Sequence, residues 1–138
     1  MSAPLHATTV SIAGRGVLIR GASGSGKSAL ALELLALGAK LVADDGVELR
    51  SRDGQLWAHC PEALEGQIEA RFVGILSAEP AAPTPVVLVI EMDHIEAERL
   101  PPRRTCSLRG VELPCLHKIE GSYFAAAIML YVKGERVG

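Results

Sequence analysis

Two hydrophobic periods alternate along this chain. Residues 6–12 and 16–20 are short apolar runs on either side of Ala13-Gly14-Arg15, which predicts two strands joined by a glycine turn. Past residue 27 the period lengthens: Leu30, Leu34 and Leu37 fall on one helical stripe with Ala31 and Leu35 beside them, and Gly38 is placed to end the helix. Leu41-Val42-Ala43 then leads into Asp44-Asp45, and residues 47–50 and 55–58 bracket Asp53-Gly54 as a hairpin. Residues 61–66 make a connection, residues 68–73 a strand or its exit, and the proline-rich stretch 79–85 a stiff loop. The most apolar run, residues 86–90, predicts a strand in mid-sheet, buried on both faces. A loop over 101–104, a short strand over 111–116 and a closing helix over 122–132 complete the pattern. Strands, some antiparallel, around a helix define an α/β fold with a mixed sheet.

The chemistry enters between the second strand and the first helix. Gly21, Ala22, Ser23, Gly24, Ser25, Gly26, Lys27 and Ser28 match the phosphate-loop pattern G-x-x-x-x-G-K-[ST] throughout. Glycines permit a backbone compact enough to aim N–H groups at phosphate oxygens, the Lys27 ammonium can reach the β/γ oxygens, and the Ser28 hydroxyl can ligate Mg²⁺. The helix that follows directs its N-terminus at the same anion. This predicts capture of a nucleoside triphosphate.

Composition narrows the setting. At 138 residues, 49% of them apolar, one domain over 1–138 with a full hydrophobic core is expected. No apolar stretch approaches the roughly 18 residues of a membrane span. The first residues lack the basic start and apolar core of a signal peptide, so a cytoplasmic protein without a membrane partner is expected. A net charge of −2 argues against a nucleic-acid partner, although Arg99, Arg103, Arg104 and Arg109 form a local basic cluster. Cys60, Cys106 and Cys115 have neither zinc nor redox spacing and read as ordinary thiols.

Phosphoryl transfer needs an acid near the metal and a group to take the acceptor's proton. Two sites compete: Glu91, at the end of the apolar run with Asp93 behind it, and the pair Asp44-Asp45 after the first helix. Glu91 fits generic phosphate-loop logic and would suit a small-molecule kinase. Adjacent aspartates repel unless a metal, a cation or a proton offsets them.

His6, the phosphate loop, Leu41-Val42-Ala43-Asp44-Asp45 and Ile68-Glu69-Ala70-Arg71 with Gly74-Ile75 together resemble the catalytic domain of HPr kinase/phosphorylase. The likeness spans residues 5–116 and is of the short form that consists of the C-terminal catalytic domain only. It implies an α/β phosphate-loop kinase akin to phosphoenolpyruvate carboxykinase, using ATP and Mg²⁺ to phosphorylate a serine of HPr or an HPr-like phosphocarrier. The family's role is regulation of carbohydrate metabolism through the phosphotransferase system, and its assembly is a homo-oligomer, the hexamer. By the same resemblance Asp44 is the general base, Asp45 supports the acceptor or metal, His6 touches the acceptor or a catalytic carboxylate, and Lys27 stabilises the β/γ charge. Ser28 and Glu69 hold the metal, Arg71 contacts phosphate or orients carboxylates, and Arg99 matches an arginine that follows an aspartate in the family pattern, where Glu98 stands here. Two departures stand out: Phe72 replaces the glycine that follows the family's arginine, and residues 116–122 replace a glycine- and arginine-rich loop tied to phosphorolysis. The resemblance therefore carries kinase activity and leaves phosphorylase activity open. A nucleotide-binding sensor without turnover and a small-molecule kinase remain alternatives.

Overall fold

In the computed structural model, which describes residues 4–61, 65–134 and 136–138, most of the chain is one mixed sheet with two helices against it. The elements are β1 (Ala7–Ile12), β2 (Arg15–Arg20), α1 (Lys27–Ala36), β3 (Lys40–Ala43), β4 (Glu48–Arg52), β5 (Gln55–His59), β6 (Gln67–Ala70), β7 (Gly74–Ser77), β8 (Thr84–Ile95), β9 (Arg104–Leu108), β10 (Val111–Lys118) and α2 (Phe124–Gly134). The sheet order is β3-β1-β2-β8-β10-β9; the β4–β5 hairpin joins through β5 to β8, and β6–β7 form a separate ribbon.

Strand polarity decides where the chemistry gathers. β2, β8 and β10 are mutually parallel, while β1 is antiparallel to both β2 and β3. The C-terminal ends of β3, β2, β8 and β10 therefore open on one rim, together with the start of β1. In open α/β sheets that rim is where ligands bind.

Two apolar layers hold the sheet. On one face Val10, Val17, Ile19, Leu88 and Ile90 pack with Leu30 and Leu34 of α1 and Ile128 of α2. On the other, Leu18, Val89 and Leu113 pack under Leu49 and Leu56 of the β4–β5 hairpin. β8 is thus buried from both sides, as its apolar run predicts, at roughly 1.5–3 kcal/mol for each fully buried large side chain.

The structure also departs from the sequence reading. β8 runs on to Ile95, and its last three residues, Asp93, His94 and Ile95, are exposed because they pass beyond the core into the rim. Arg104 opens a strand instead of closing a loop. Leu37 is half exposed at the end of α1, so the buried stripe is Leu30, Ala31 and Leu34. Residues 62–64 of the expected connection lie outside the described residues.

Candidate active site

The phosphate loop leaves β2 at Gly21 and delivers the chain to α1. A Cβ on Gly21 would lie 2.7 Å from the Ser25 hydroxyl and 3.0 Å from Met92 Cβ, so only glycine lets the loop close against β8. Gly26 caps α1 at φ 101°, with no side-chain hydrogen bond to the first turn. Its N–H donors are left for an anion. Lys27 is buried, and its ammonium donates to the carbonyls of Gly21 (2.7 Å) and Ala22 (3.2 Å). The Ser25 hydroxyl is buried without a partner. An unpaired hydroxyl inside a donor-rich loop is a place a phosphate oxygen would satisfy.

Asp44 stands at the end of β3, half-buried, and is the hub of the rim. Its Oδ1 accepts from the hydroxyls of Thr8 (3.1 Å) and Ser28 (3.2 Å), and its Oδ2 accepts from the Glu69 backbone N–H (3.2 Å). Four segments thus converge on one carboxylate. Thr8, fully buried in β1, also accepts from the Asp45 N–H at 3.3 Å. Asp45 takes a left-handed turn at φ 56°, which swings its carboxylate to 3.0 Å from His6 Nδ1. The two aspartates are therefore separated by partners of different kinds, which relieves their repulsion.

A cleft of about 710 Å³ collects these groups: His6, Lys27, Ser28, Asp44, Asp45, Glu69 and Arg71 all line it, with Ser23, Gly24 and Gly26 of the loop. Glu69 stands exposed in β6 between the buried Ile68 and Ala70, which line the cleft with it. Arg99 does not join them: it is exposed in the bend past β8 and lines neither this cleft nor the cavity beyond β8. The other arginines of the expected basic cluster are tied up as well. Arg104 grips Glu96, Arg103 donates to the Arg136 carbonyl, and Arg109 is also engaged.

Glu91, the rival acid, is turned away from the loop. It pairs with Arg20 on the neighbouring strand, an ion pair that raises the arginine's pKa by hydrogen bonding. Asp93, two residues on, instead accepts the Ala22 N–H on both oxygens, at 2.9 and 3.1 Å, and steadies the loop.

Thr8 and one further participant escaped the sequence reading. Lys118, the last residue of β10, donates from Nζ to the Ser25 carbonyl at 3.0 Å. A register shift between His117 and Lys118 brings it there. Its only sequence signal is a cation at the end of an apolar run, which many solvated lysines share.

Comparison with known proteins now bears on this geometry. A family model described as the HPr serine kinase C-terminal domain matches residues 1–99. The chain belongs to that family. Among curated relatives, the HPr kinase/phosphorylase of Bordetella pertussis is 49% identical over 73 residues, and that of Clostridium beijerinckii 46% over 72; each alignment covers 52% of this chain. The chain spans about a quarter of the length of these relatives, 24%. A solved structure, the Hpr(Ser) kinase/phosphatase from Coxiella burnetii, superposes with a TM-score of 0.80 at 27% identity, covering 98% of this chain and 97% of that one. The chain thus has the mixed α/β architecture that its sequence predicts. Among the described residues no helix is long and apolar enough to cross a membrane.

Proposed function

We propose that this chain is an ATP-dependent protein-serine kinase whose acceptor is HPr or an HPr-like phosphocarrier. The observation that carries this reading is the 3.2 Å hydrogen bond from Ser28, the metal-binding position of the phosphate loop, to Asp44. It puts a carboxylate beside the loop, in a cleft of about 710 Å³.

The donors fit the expected ligands. Oxygen groups of Ser28, Asp44 and Glu69 suit Mg²⁺, a hard cation, and the unpaired Ser25 hydroxyl with the uncapped α1 N-terminus suits a phosphate. On this reading Ser28 and Glu69 hold the metal. When bound, Mg²⁺ would neutralise charge on the β- and γ-phosphates. Lys27 gives up its loop carbonyls for phosphate oxygens and stabilises the charge that develops there.

Asp44 accepts the proton of the acceptor serine as its oxygen attacks the terminal phosphorus, and the bond from that phosphorus to the bridging oxygen breaks to leave ADP. Thr8 and the Glu69 N–H fix the carboxylate's orientation, so no reorganisation is needed at that moment. Asp45 and His6 form the cleft's wall toward the acceptor, and Arg71 faces phosphate or the acidic groups. Arg99, which does not line its own cleft, acts on a neighbouring copy's site. The same reading takes residues 1–138 as one catalytic domain that works in the cytoplasm as a homo-oligomer, without nucleic-acid or membrane partners.

The test is direct. Purified protein, ATP and Mg²⁺ are mixed with the phosphocarriers of the same organism, and each carrier's intact mass is read. A single phosphate increment, lost when the carrier's acceptor serine is changed to alanine, supports the proposal. ATP binding without any increment would instead favour a sensor without turnover.

A further inference from the structure

Across β8 from the phosphate loop the same sheet carries a second cluster of reactive side chains. Alternation puts Glu91 of β8, Cys115 of β10 and Cys106 of β9 on one face. Cys106 pairs with Leu113 and Cys115 with Arg104 across β9–β10, so the cysteines are diagonal neighbours, and Cys115 sits opposite Val89, two residues before Glu91. A carboxylate oxygen of Glu91 and the sulfurs of Cys106 and Cys115 all lie within 4.8 Å of one another.

We propose that Glu91, Cys106 and Cys115 form a binding site for a thiophilic divalent cation, with Zn²⁺ the fitting ion. The separations suit it: with Zn–S near 2.3 Å and Zn–O near 2.1 Å, donors that share one tetrahedral zinc stand roughly 3.5–4 Å apart. Adjustments of under about 1 Å close the set. Two sulfurs and one oxygen select zinc over magnesium or calcium, which prefer oxygen alone.

Arg20 does not block the site. Both of its hydrogen bonds fall on Oε1 of Glu91, which leaves Oε2 for a metal. Two thiolates and a carboxylate carry three negative charges, and Zn²⁺ with Arg20 balances them. The fourth position opens on a cavity of about 420 Å³ that His94 and His117 also line. His117 is the register partner of Glu91, so an imidazole from the chain or a ligand from outside could complete the tetrahedron.

Binding forms two Zn–S bonds and one Zn–O bond and releases the thiol protons to the buffer; nothing is oxidised. Its structural effect is to tie the β9–β10 hairpin to β8. The site is independent of the kinase reading, because it lies on Arg20's side of Glu91 and uses none of the cleft residues.

The experiment uses the reduced full chain without nucleotide. Co²⁺ is titrated in and thiolate-to-metal charge-transfer absorption is followed, and Zn²⁺ is then added to displace it. The proposal expects one metal per chain, affinity at least about 100-fold weaker in Cys115→Ser and Cys106→Ser, and an unchanged titration in Cys60→Ser. Glu91→Gln keeps both thiols and should weaken binding about 10-fold or more. Far-UV circular dichroism and a urea melt establish that each variant is folded. Absence of the charge-transfer band in the native protein, an unweakened affinity in Cys115→Ser, or equal loss in Cys60→Ser would overturn the proposal.

Discussion

At the scale of single residues, the site turns on how one carboxylate is held. Asp44 accepts two hydroxyls and one backbone N–H, from β1, α1 and β6, so its direction is set before any substrate arrives. Removing Thr8 should loosen it: Thr8→Val keeps the buried shape but drops the bond, and we expect phosphotransfer to fall about 10-fold with ATP affinity nearly unchanged. A steady-state split between kcat and KM for ATP checks this. Phe72 offers a second residue-scale test. It is fully exposed and held at φ 68°, the left-handed region where a Cβ is strained, and this is where the family's pattern has glycine. Phe72→Gly relieves that strain without losing packing and should raise stability by about 0.5–1 kcal/mol in urea melts. The phosphate loop was legible in the sequence because it is a local string with a required chemistry, whereas Asp44 and Asp45 stood out from Glu91 only through the family resemblance. Thr8 was not legible, since its role comes only from a β1–β3 pairing that brings residues 36 apart into contact.

At the scale of elements, periodicity carried the reading as far as the core extends. α1, the β4–β5 hairpin and the middle of β8 follow from apolar spacing, because burial on one or both faces imposes that spacing. β9 and the outer half of β8 did not show, because on an open rim polar and apolar positions are under no such constraint. β10 gives the clearest functional consequence. Parallel pairing with β8 and a bulge at its end place the Lys118 ammonium on the phosphate loop's Ser25 carbonyl. A charge-assisted bond of that kind is worth about 1.5–3 kcal/mol, so Lys118→Met should weaken nucleotide binding by roughly 10- to 100-fold. Equilibrium titration with a fluorescent ATP analogue measures it, and a circular dichroism spectrum like that of the native chain excludes misfolding as the cause.

At the scale of the whole molecule, four strands ending on one rim gather two clusters of polar side chains, one on each side of β8. Arg104 and Glu96 tie that rim together between β8 and β9, with bonds of 2.9 Å. Hydrogen bonding to Arg104 holds the Glu96 carboxyl down from 4.5 to about 2. A depressed carboxylate pKa stabilises the fold above its unfolded value and ceases to do so as pH falls through the folded one. The urea midpoint should therefore drop between about pH 4.5 and pH 2, and Arg104→Met should flatten part of that decline. Beside that pair, burial pushes the Cys115 thiol up to about 12 and raises Cys106 as well, so neither acts as a free nucleophile at neutral pH. That the two cysteines meet was invisible in their spacing, because a hairpin and not a short motif joins them.

The central claim is that the phosphate loop and the Asp44 corner serve one reaction centre. Its most direct test sets Asp44→Asn beside Glu91→Gln and measures, for each, ATP affinity and phosphate transfer to the carrier by intact mass. The account predicts that Asp44→Asn binds ATP nearly as the native protein does and loses about 10²–10⁴-fold in transfer, while Glu91→Gln transfers at close to the native rate. Normal transfer by Asp44→Asn, or a larger loss in Glu91→Gln, would contradict it.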